Sequence, residues 1–325
     1  MDAVSPEPRV TLGRWLVPLA GVLCLLPGVS GALALLGGCL LAVVVGNPYA
    51  ERMRKLPHRM LAASVVGLGA GMNLRVVARA GLQGIGTTAL SISLALIAGL
   101  VLARLLQVRG KIGLLVSLGT AICGGSAIAA AVPVVRADER EASVALGTVF
   151  LLNAVALVLF PPIGHHFGLS EAQFGLWAAL AIHDTSSVVG AAMAYGPRAL
   201  ELATTVKLAR ALWIIPVTIG LAAWTSRRGE GQAKGRARRP WFILGFVLAA
   251  ALVTALPALA PAGHAVASLA RQLMVLTLFV IGVNLSPAAL RAVGVRPLVL
   301  GLALWIASAA LSLAAIDLHW LGPPA

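Results

Sequence analysis

The sequence predicts an all-α polytopic membrane protein with about 11 transmembrane helices. Hydrophobic residues make up 59% of the chain and charged residues only 11%, whereas soluble domains carry roughly 45–50% and about 25%. The mean hydropathy is +0.95, and no polar block is long enough to form a separate soluble domain. At about 20 residues per helix, 325 residues fit roughly ten or eleven spans with short loops.

Apolar runs bounded by Gly, Pro or charged residues predict the individual spans, and membrane helices tolerate the Gly and Pro inside several of them. The first run is short enough for a signal peptide, but further spans follow at once, so we interpret it as a transmembrane helix. The predicted spans are 15–26, 31–46, 58–74, 82–105, 112–135, 142–161, 172–195, 199–225, 241–256, 267–285 and 296–316.

The distribution of Lys and Arg predicts the orientation in the cell membrane. With the N-terminus inside, 17 of these residues fall in cytoplasmic loops and 6 in outside loops, as the positive-inside rule requires. This places the C-terminus outside and makes the basic segment 226–239 a cytoplasmic linker. The net charge of +14 therefore reflects loops of an inner-membrane protein, and we do not expect nucleic-acid binding.

Two internal echoes indicate inverted repeats. The residues GMNL at 71–74 return as GVNL at 282–285, in spans predicted to run in opposite directions, which is the arrangement of an inverted repeat. The residues AICGGS at 121–126 resemble AIHDTS at 181–186, but their spans are predicted to be parallel. Either one of these two spans is re-entrant, or the second echo reflects composition alone.

One span carries ionisable and hydroxyl groups in its middle, the stretch AIHDTSS at 181–187. Of the 11 acidic residues, Asp184 alone lies deep within a predicted span, and an ionisable residue at that depth is a functional-site hypothesis. We predict that Asp184 carries a proton or binds sodium, with His183 beside it. The neighbouring hydroxyls either line a site or bond the preceding helical turn.

The stretch SLGTAICGGSAIAAA at 117–131 predicts a broken helix, because adjacent glycines weaken a helix. A break at the midplane exposes backbone N–H groups and a positive helix end that suits an anion. The alternative is close helix packing through small residues.

Two basic residues, Lys207 and Arg210, lie at i and i+3 about ten residues into a span, so they share a helix face. Their counter-anion would be Asp184, Glu201 or a substrate, and the alternative is that both side chains reach the membrane surface. Asn153 is a further polar residue within a span. The predicted substrate-binding residues are Thr120, Cys123, Gly124, Gly125, Ser126, Thr185, Ser186, Ser187, Lys207, Arg210, Asn73 and Asn284.

Four long strings stand out in the middle of the chain: AICGGSAIAA, LNAVALVLFPPIGHHFGLS, QFGLWAALAIHDTSSVVGAA and TTVKLARALWIIP. They resemble the YeiH-type family, whose label as sulfate exporters is itself a prediction. The resemblance is dense over 67–216 and looser through FVIGVNLS and GVRPLVLGLALW. It implies a secondary transporter related to sodium–proton antiporters and bile-acid symporters, with inverted repeats, crossing broken helices, a core that moves against a scaffold, and often dimers.

We therefore expect a single transmembrane transporter domain over 1–325 that exports a small anion, such as sulfate, sulfite or a sulfonate, by coupling to protons or sodium. A channel is the alternative, and a membrane-embedded hydrolase or transferase is a weaker one, since a Ser-His-Asp site is recognised by geometry and not by consecutive residues. We expect no enzymatic activity and no cofactor. The three cysteines lie in apolar runs without metal-ligand spacing, so we expect no metal site other than sodium at Asp184.

Overall fold

The computed structural model describes residues 8–26, 29–53, 56–75, 85–108, 111–227, 241–284, 294–318 and 320–321, and every regular element among them is a helix. A 3-10 turn, Pro257–Leu259, precedes the longest helix of the C-terminal part. The α-helices are α1 (Pro8–Leu23), α2 (Gly31–Val44), α3 (Ala50–Met53), α4 (Leu56–Gly69), α5 (Ile85–Leu105), α6 (Ile112–Ala121), α7 (Gly125–Val135), α8 (Glu139–His166), α9 (Glu171–Ala181), α10 (Thr185–Tyr195), α11 (Pro197–Ala211), α12 (Ile214–Arg227), α13 (Trp241–Ala255), α14 (Ala260–Asn284) and α15 (Val295–Asp317).

Each predicted span overlaps one helix or two consecutive helices, the pairs being α6 with α7, α9 with α10, and α11 with α12. The all-α membrane class is therefore confirmed, and the eleven crossings stay a prediction. Within the described residues, five helical stretches are long and apolar enough to cross a bilayer. They are Gly86–Leu105, Arg140–His166, Pro197–Arg227, Pro257–Asn284 and Val295–Asp317.

The chain divides into two compact units. Unit 1 comprises Met1–Leu74 and Trp241–Leu290, and unit 2 comprises Arg75–Pro240 and Arg291–Ala325. The single transporter domain over 1–325 stays a prediction, because two compact units can serve one transport function. The predicted linker 226–239 lies outside the described residues from position 228 onward.

Unit 1 is organised around α14, which packs against α2 and α4, while α13 packs against α4. Two glycines bring the backbones of α2 and α14 into direct contact. A side-chain carbon at Gly38 would overlap the carbonyl oxygen of Phe279, and one at Gly282 would overlap the carbonyl oxygen of Leu35. Lipid gives helices no hydrophobic drive to associate, so close packing of this kind holds them together.

Unit 2 surrounds α9 and α11, which pack against each other, and α15 covers α6, α8 and α9. Aromatic rings fix this covering helix. The ring of Trp177 stacks on that of Phe160 with centroids 4.3 Å apart, and Trp305 stacks on the same Phe160 ring at 5.8 Å. The indole nitrogen of Trp177 donates to the carbonyl of Ala309 at 3.0 Å, which ties α9 to α15.

Two helices of unit 2 begin at capping boxes, in which the first and fourth residues satisfy each other's backbone N–H groups. Asp138 Oδ1 accepts from the backbone N of Glu141 at 2.7 Å, and the Glu141 carboxylate accepts from the backbone N of Asp138 at 3.0 Å. Ser170 and Gln173 make the same exchange at the start of α9. These caps set where α8 and α9 enter the unit.

Candidate functional site

Most of the predicted site residues lie in or beside two helix breaks in unit 2. The helix α6 ends at Ala121 and α7 begins at Gly125, while α9 ends at Ala181 and α10 begins at Thr185. Each break is therefore three residues long. The two halves of the sequence echo, 121–126 and 181–186, occupy equivalent positions, with Gly124 and Asp184 both standing as N-caps.

The two breaks touch each other at these N-cap residues. Gly124 has φ 65° and ψ −127°, a left-handed conformation that glycine adopts without a steric penalty. A side-chain carbon at Gly124 would lie 3.1 Å from Cα of Asp184 and 3.3 Å from its backbone nitrogen. Only a residue without a side chain fits there, which explains the glycine at this position.

The Asp184 carboxylate caps its own helix. Its Oδ2 accepts a hydrogen bond from the backbone N of Ser186 at 3.0 Å and a second one from the Ser186 hydroxyl. Aspartate is among the best N-cap residues, and a negative charge is favourable at a helix N-terminus. Asp184 is 7% exposed, so this carboxylate is buried with helix N–H groups as its partners.

The side chain of Asn153, from α8, holds the second break in place. Its Oδ1 accepts from the backbone N of His183 at 3.1 Å and from that of Asp184 at 3.2 Å. Both N–H groups belong to the non-helical stretch and have no helical acceptor, so a side chain must satisfy them. Asn153 therefore anchors the break, a role that its position in an apolar span did not predict.

The other ends of the broken helices, their C-termini, are bonded by the two cations of α11. Lys207 Nζ donates to the carbonyl of Ile182 at 2.7 Å and to that of Ala179 at 3.3 Å. The last carbonyls of a helix lack intrahelical donors and carry a partial negative charge. The Lys207 ammonium group donates the hydrogen bonds that the carbonyls at the end of α9 otherwise lack. Its positive charge also offsets the partial negative charge of this helix end.

Arg210 reaches both broken helices. Its Nε and Nη2 atoms donate to the carbonyl of Ala121 at 2.9 Å and 2.6 Å, and Nη1 donates to the carbonyl of Leu180 at 3.2 Å. One guanidinium thus joins the end of α6 to the end of α9. Because its donors are planar and fixed in a fork, it also sets the distance between the two helix ends.

These contacts bear on two of the three counter-anions predicted for the cations, Asp184 and Glu201. Within the described residues no ion pair joins Lys207 or Arg210 to Asp184 or Glu201, and Glu201 instead pairs with Arg198 at 3.0 Å. Lys207 is 1% exposed and Arg210 3%, so neither side chain extends to the surface of the protein. Their partners are carbonyl groups at the helix ends.

The start of α7 has no comparable partner. Its N-cap Gly124 offers no side-chain acceptor, so its first backbone N–H groups lack the cap that Asp184 gives α10. A helix N-terminus binds anions through free N–H groups and a positive dipole. The positive end of α7 therefore has no side-chain cap from its own N-cap residue.

Several buried polar atoms around the breaks and α11 have no hydrogen-bond partner in the described part of the chain. An unsatisfied buried polar group costs about 1–3 kcal/mol, and a group of them calls for a ligand or water. Thr204 is three residues before Lys207, and Thr120 adjoins the carbonyl that Arg210 binds. The atoms in unit 2 near these elements are both ring nitrogens of His183, Nδ2 of Asn153, and the hydroxyls of Thr120, Thr204 and Thr205.

The remaining predicted residues divide between the two units. Cys123 lies in the first break as a buried free thiol, and Gly125 is buried at the start of α7, where Ser126 is half-buried. Thr185 and Ser187 are buried in the first turn of α10. Asn73 and Asn284 belong to unit 1, and the Asn284 amide is engaged there with Asn47 and Met53.

The list of predicted site residues leaves out Thr204 and Thr205, whose buried hydroxyls have no partner in the described residues. The sequence also did not predict Lys207 and Arg210 as partners of helix carbonyls. A signal for that role was present. The predicted break at 117–131 creates a new C-terminal end with orphan carbonyls, and a buried basic pair elsewhere in the chain is a source of donors for them.

Comparison with known proteins places the chain among membrane proteins. Residues 28–301 match the family model "Conserved hypothetical protein 698". A UPF0324 membrane protein of Bdellovibrio bacteriovorus is 55% identical over 315 residues, covering 96% of this chain and 97% of the relative. A UPF0324 membrane protein of Geobacter sulfurreducens is 46% identical over 298 residues, covering 92% and 94%. No solved structure matches the chain.

Proposed function

Because the chain belongs to the UPF0324 family of membrane proteins, the family that its YeiH-type strings indicate, we propose that it is a secondary active transporter of a small anion. The anion is sulfate, sulfite or a sulfonate, and its export is coupled to protons or sodium. The proposal includes eleven membrane crossings with inverted repeats, a cytoplasmic N-terminus, an outside C-terminus, and movement of a core against a scaffold, as a homodimer.

One observation carries the proposal: the buried polar core of unit 2 has an excess of positive charge. Among the described residues, the buried charged side chains are Asp184, Lys207 and Arg210, two cations against one carboxylate. A buried charge without compensation is strongly unfavourable. A bound anion at the uncapped start of α7 would supply the missing negative charge, with Thr120, Ser126 and the donors left on Lys207 and Arg210 available to it.

Asp184 is the proposed site of the coupling ion. Its Oδ2 accepts two hydrogen bonds from Ser186, and its carboxylate stands where the two breaks touch. Protonation, or a sodium ion bound with neighbouring hydroxyl and carbonyl oxygens, would change the charge at this contact. A change of charge between two broken helices gives the coupling ion a direct effect on the anion site.

The proposal assigns no enzymatic activity to the chain. A Ser-His pair acts only when the imidazole can take the hydroxyl proton. The Ser186 hydroxyl donates to Asp184, and in the described residues neither ring nitrogen of His183 meets a hydroxyl. These contacts support a binding role over nucleophilic catalysis.

The test is flux of labelled sulfate and sulfite through the purified full chain in liposomes, with imposed proton or sodium gradients. We expect transport that follows one of these gradients and is lost in Asp184→Asn. Asparagine is as good an N-cap as aspartate, so the free energy of unfolding should change by less than about 1 kcal/mol. Loss of transport would then result from the loss of the carboxylate charge and not from unfolding of the protein.

Asp138→Asn is the matched control, since Asp138 is an exposed aspartate that caps α8 through the backbone N of Glu141, and its transport should equal that of the unmodified protein. Normal gradient-dependent transport by Asp184→Asn would refute the coupling role. Flux that is independent of any driving ion would establish a channel instead.

A further inference from the structure

Unit 1 contains a polar cavity that the transport proposal does not use. It has a volume of about 560 Å³, which lies in the usual range of ligand pockets. It sits where the first half of α1 meets the turn between α2 and α3. Its lining is formed by Arg14, Asn47, Pro48, Tyr49, Ala50 and Arg52.

Specific contacts build this cavity from separate parts of the chain. The Tyr49 hydroxyl donates to the carbonyl of Arg14 at 2.9 Å, and Asn47 Oδ1 accepts from the backbone N of Tyr49 at 2.9 Å. A side-chain carbon at Gly13 would lie 3.3 Å from Cδ of Pro48, so α1 and the turn are in close contact. These contacts place Arg14 and Arg52 on the same cavity.

Asn284 fixes the cavity from the end of α14. Asn47 Nδ2 donates to Asn284 Oδ1 at 2.8 Å, and Asn284 Nδ2 donates to the carbonyl of Met53 at 3.4 Å. The amide thus joins the turn before α3 to the last residue of α3. The residue that the sequence predicted as a substrate contact supports the wall of this cavity.

The charge of the cavity selects an anionic ligand. Arg14 and Arg52 line it, and none of the six lining residues is acidic. In the described part of the chain neither guanidinium takes part in a hydrogen bond or ion pair that would occupy its donors. Two free guanidinium groups match the oxygens of a phosphate through bidentate, charge-assisted hydrogen bonds.

The surroundings of the cavity match the boundary between lipid and water. Trp15, next to Arg14, is 77% exposed, and the apolar side chains of Leu12 and Leu19 on the same helix are more than half exposed. Exposed Trp and Tyr mark the headgroup level of membranes. In the predicted topology this end of α1 faces the cytoplasm, where anionic lipids give the leaflet a negative surface potential.

We propose that this cavity binds the phosphate of an anionic phospholipid headgroup. The two guanidinium groups hold the phosphate oxygens, Tyr49 and Asn47 shape the wall, and Trp15 lies at the level of the headgroups. A lipid supplies the phosphate at high local concentration in the plane of the membrane, which distinguishes it from inorganic phosphate in the cytosol.

The experiment measures thermal unfolding of the purified full chain in detergent, with phosphatidylglycerol, phosphatidylcholine or inorganic phosphate added. A ligand that binds only the folded state raises the unfolding temperature. We expect a rise with phosphatidylglycerol only. In the double variant Arg14→Gln with Arg52→Gln, the affinity for this lipid should fall about tenfold or more, since hydrogen bonds between charged groups are strong.

Arg104→Gln is the control, because Arg104 is an exposed arginine of unit 2 on the same predicted side of the membrane. An equal loss in this control would overturn the proposal in favour of unspecific charge attraction. Stabilisation by inorganic phosphate alone would assign the cavity to a soluble anion. Equal stabilisation by phosphatidylcholine would also refute the role of the arginines in selecting an anionic headgroup.

Discussion

The two helix breaks of unit 2 are alike at one end and different at the other. Both are three residues long, and both place the last carbonyls of the preceding helix in contact with Arg210. At the following helix they diverge. The break at 182–184 has a carboxylate as N-cap, and the break at 122–124 has a glycine.

The difference supports the proposal that two similar helix breaks bind two different ligands. Where Asp184 caps α10, the protein's own negative charge occupies the helix N-terminus, and that charge can respond to a cation. Where Gly124 precedes α7, the N-cap residue supplies no side-chain acceptor, and an external anion is the ligand that we propose for this helix end. The echoing segments 121–126 and 181–186 are therefore most informative at their fourth position, where the first has Gly124 and the second has Asp184.

The largest effect should come from Gly124→Ala. Alanine would take on a strained backbone with positive φ and would bring a side-chain carbon within 3.1 Å of Asp184 Cα. We expect a loss of roughly 2–4 kcal/mol in the free energy of unfolding, together with loss of anion-induced stabilisation. Chemical denaturation of the purified protein measures the first effect.

Gly220→Ala is the matched control, because nothing lies within 4 Å of a side-chain carbon at this helical glycine in the same unit. It should be neutral or more stable by up to about 1 kcal/mol. A Gly124→Ala protein with unaltered stability and anion response would show that the contact between the two breaks is not required.

Arg210→Met tests the feature that both breaks share, the hydrogen bonds from Arg210 to the end of the preceding helix. Methionine preserves apolar bulk but leaves the carbonyls of Ala121 and Leu180 without their side-chain donor, which should lower the free energy of unfolding by about 2–3 kcal/mol. Arg198→Met removes an exposed pair with Glu201 and should change it by less than about 1 kcal/mol. Similar values for both variants would contradict a shared support of the helix ends.

The smallest change in stability is expected for Thr204→Val. The Thr204 hydroxyl is buried without a partner in the described residues, so replacing it with a methyl group removes an unfavourable term and keeps the shape. The free energy of unfolding should stay within about 0.5 kcal/mol or rise, while the affinity for the transported anion falls.

Thr218→Val provides the comparison, because the Thr218 hydroxyl already donates to the carbonyl of Ile214 at 2.7 Å and is not one of the proposed ligand contacts. A thermal-shift titration with sulfate and sulfite on both variants reads out the difference. If Thr204→Val binds the anion as tightly as Thr218→Val does, the Thr204 hydroxyl lies outside the anion site.

Periodicity and composition were sufficient for the helical class and for the segments that form helices. The Gly124–Gly125 pair predicted the first break because local propensity decides where a helix yields. The second break was less visible, since Asp184 acts there as an N-cap, a role that depends on where the helix begins. The sequence could not show that Gly124 and Asp184 touch, because that contact joins residues sixty positions apart.

The partners of the buried cations were beyond sequence reasoning for a related reason. Charge balance pointed from Lys207 and Arg210 towards a carboxylate or a substrate, whereas the acceptors of their hydrogen bonds are backbone carbonyls, whose place in the fold the sequence does not give. Asn284 shows the same limit. Its likeness to Asn73 suggested a shared substrate role, which stays a prediction, and no pattern indicated that its amide bonds Asn47 and the carbonyl of Met53.

The glycine contact between α2 and α14 has a consequence for biosynthesis. The partner surface that Gly38 requires includes Phe279 and Gly282, which are made only after the whole of 75–240 has been synthesised. Until then the glycine face of α2 has only lipid or a temporary neighbour against it. Unit 1 therefore completes its packing late in synthesis, and a chain truncated before α14 would leave this face without its native partner.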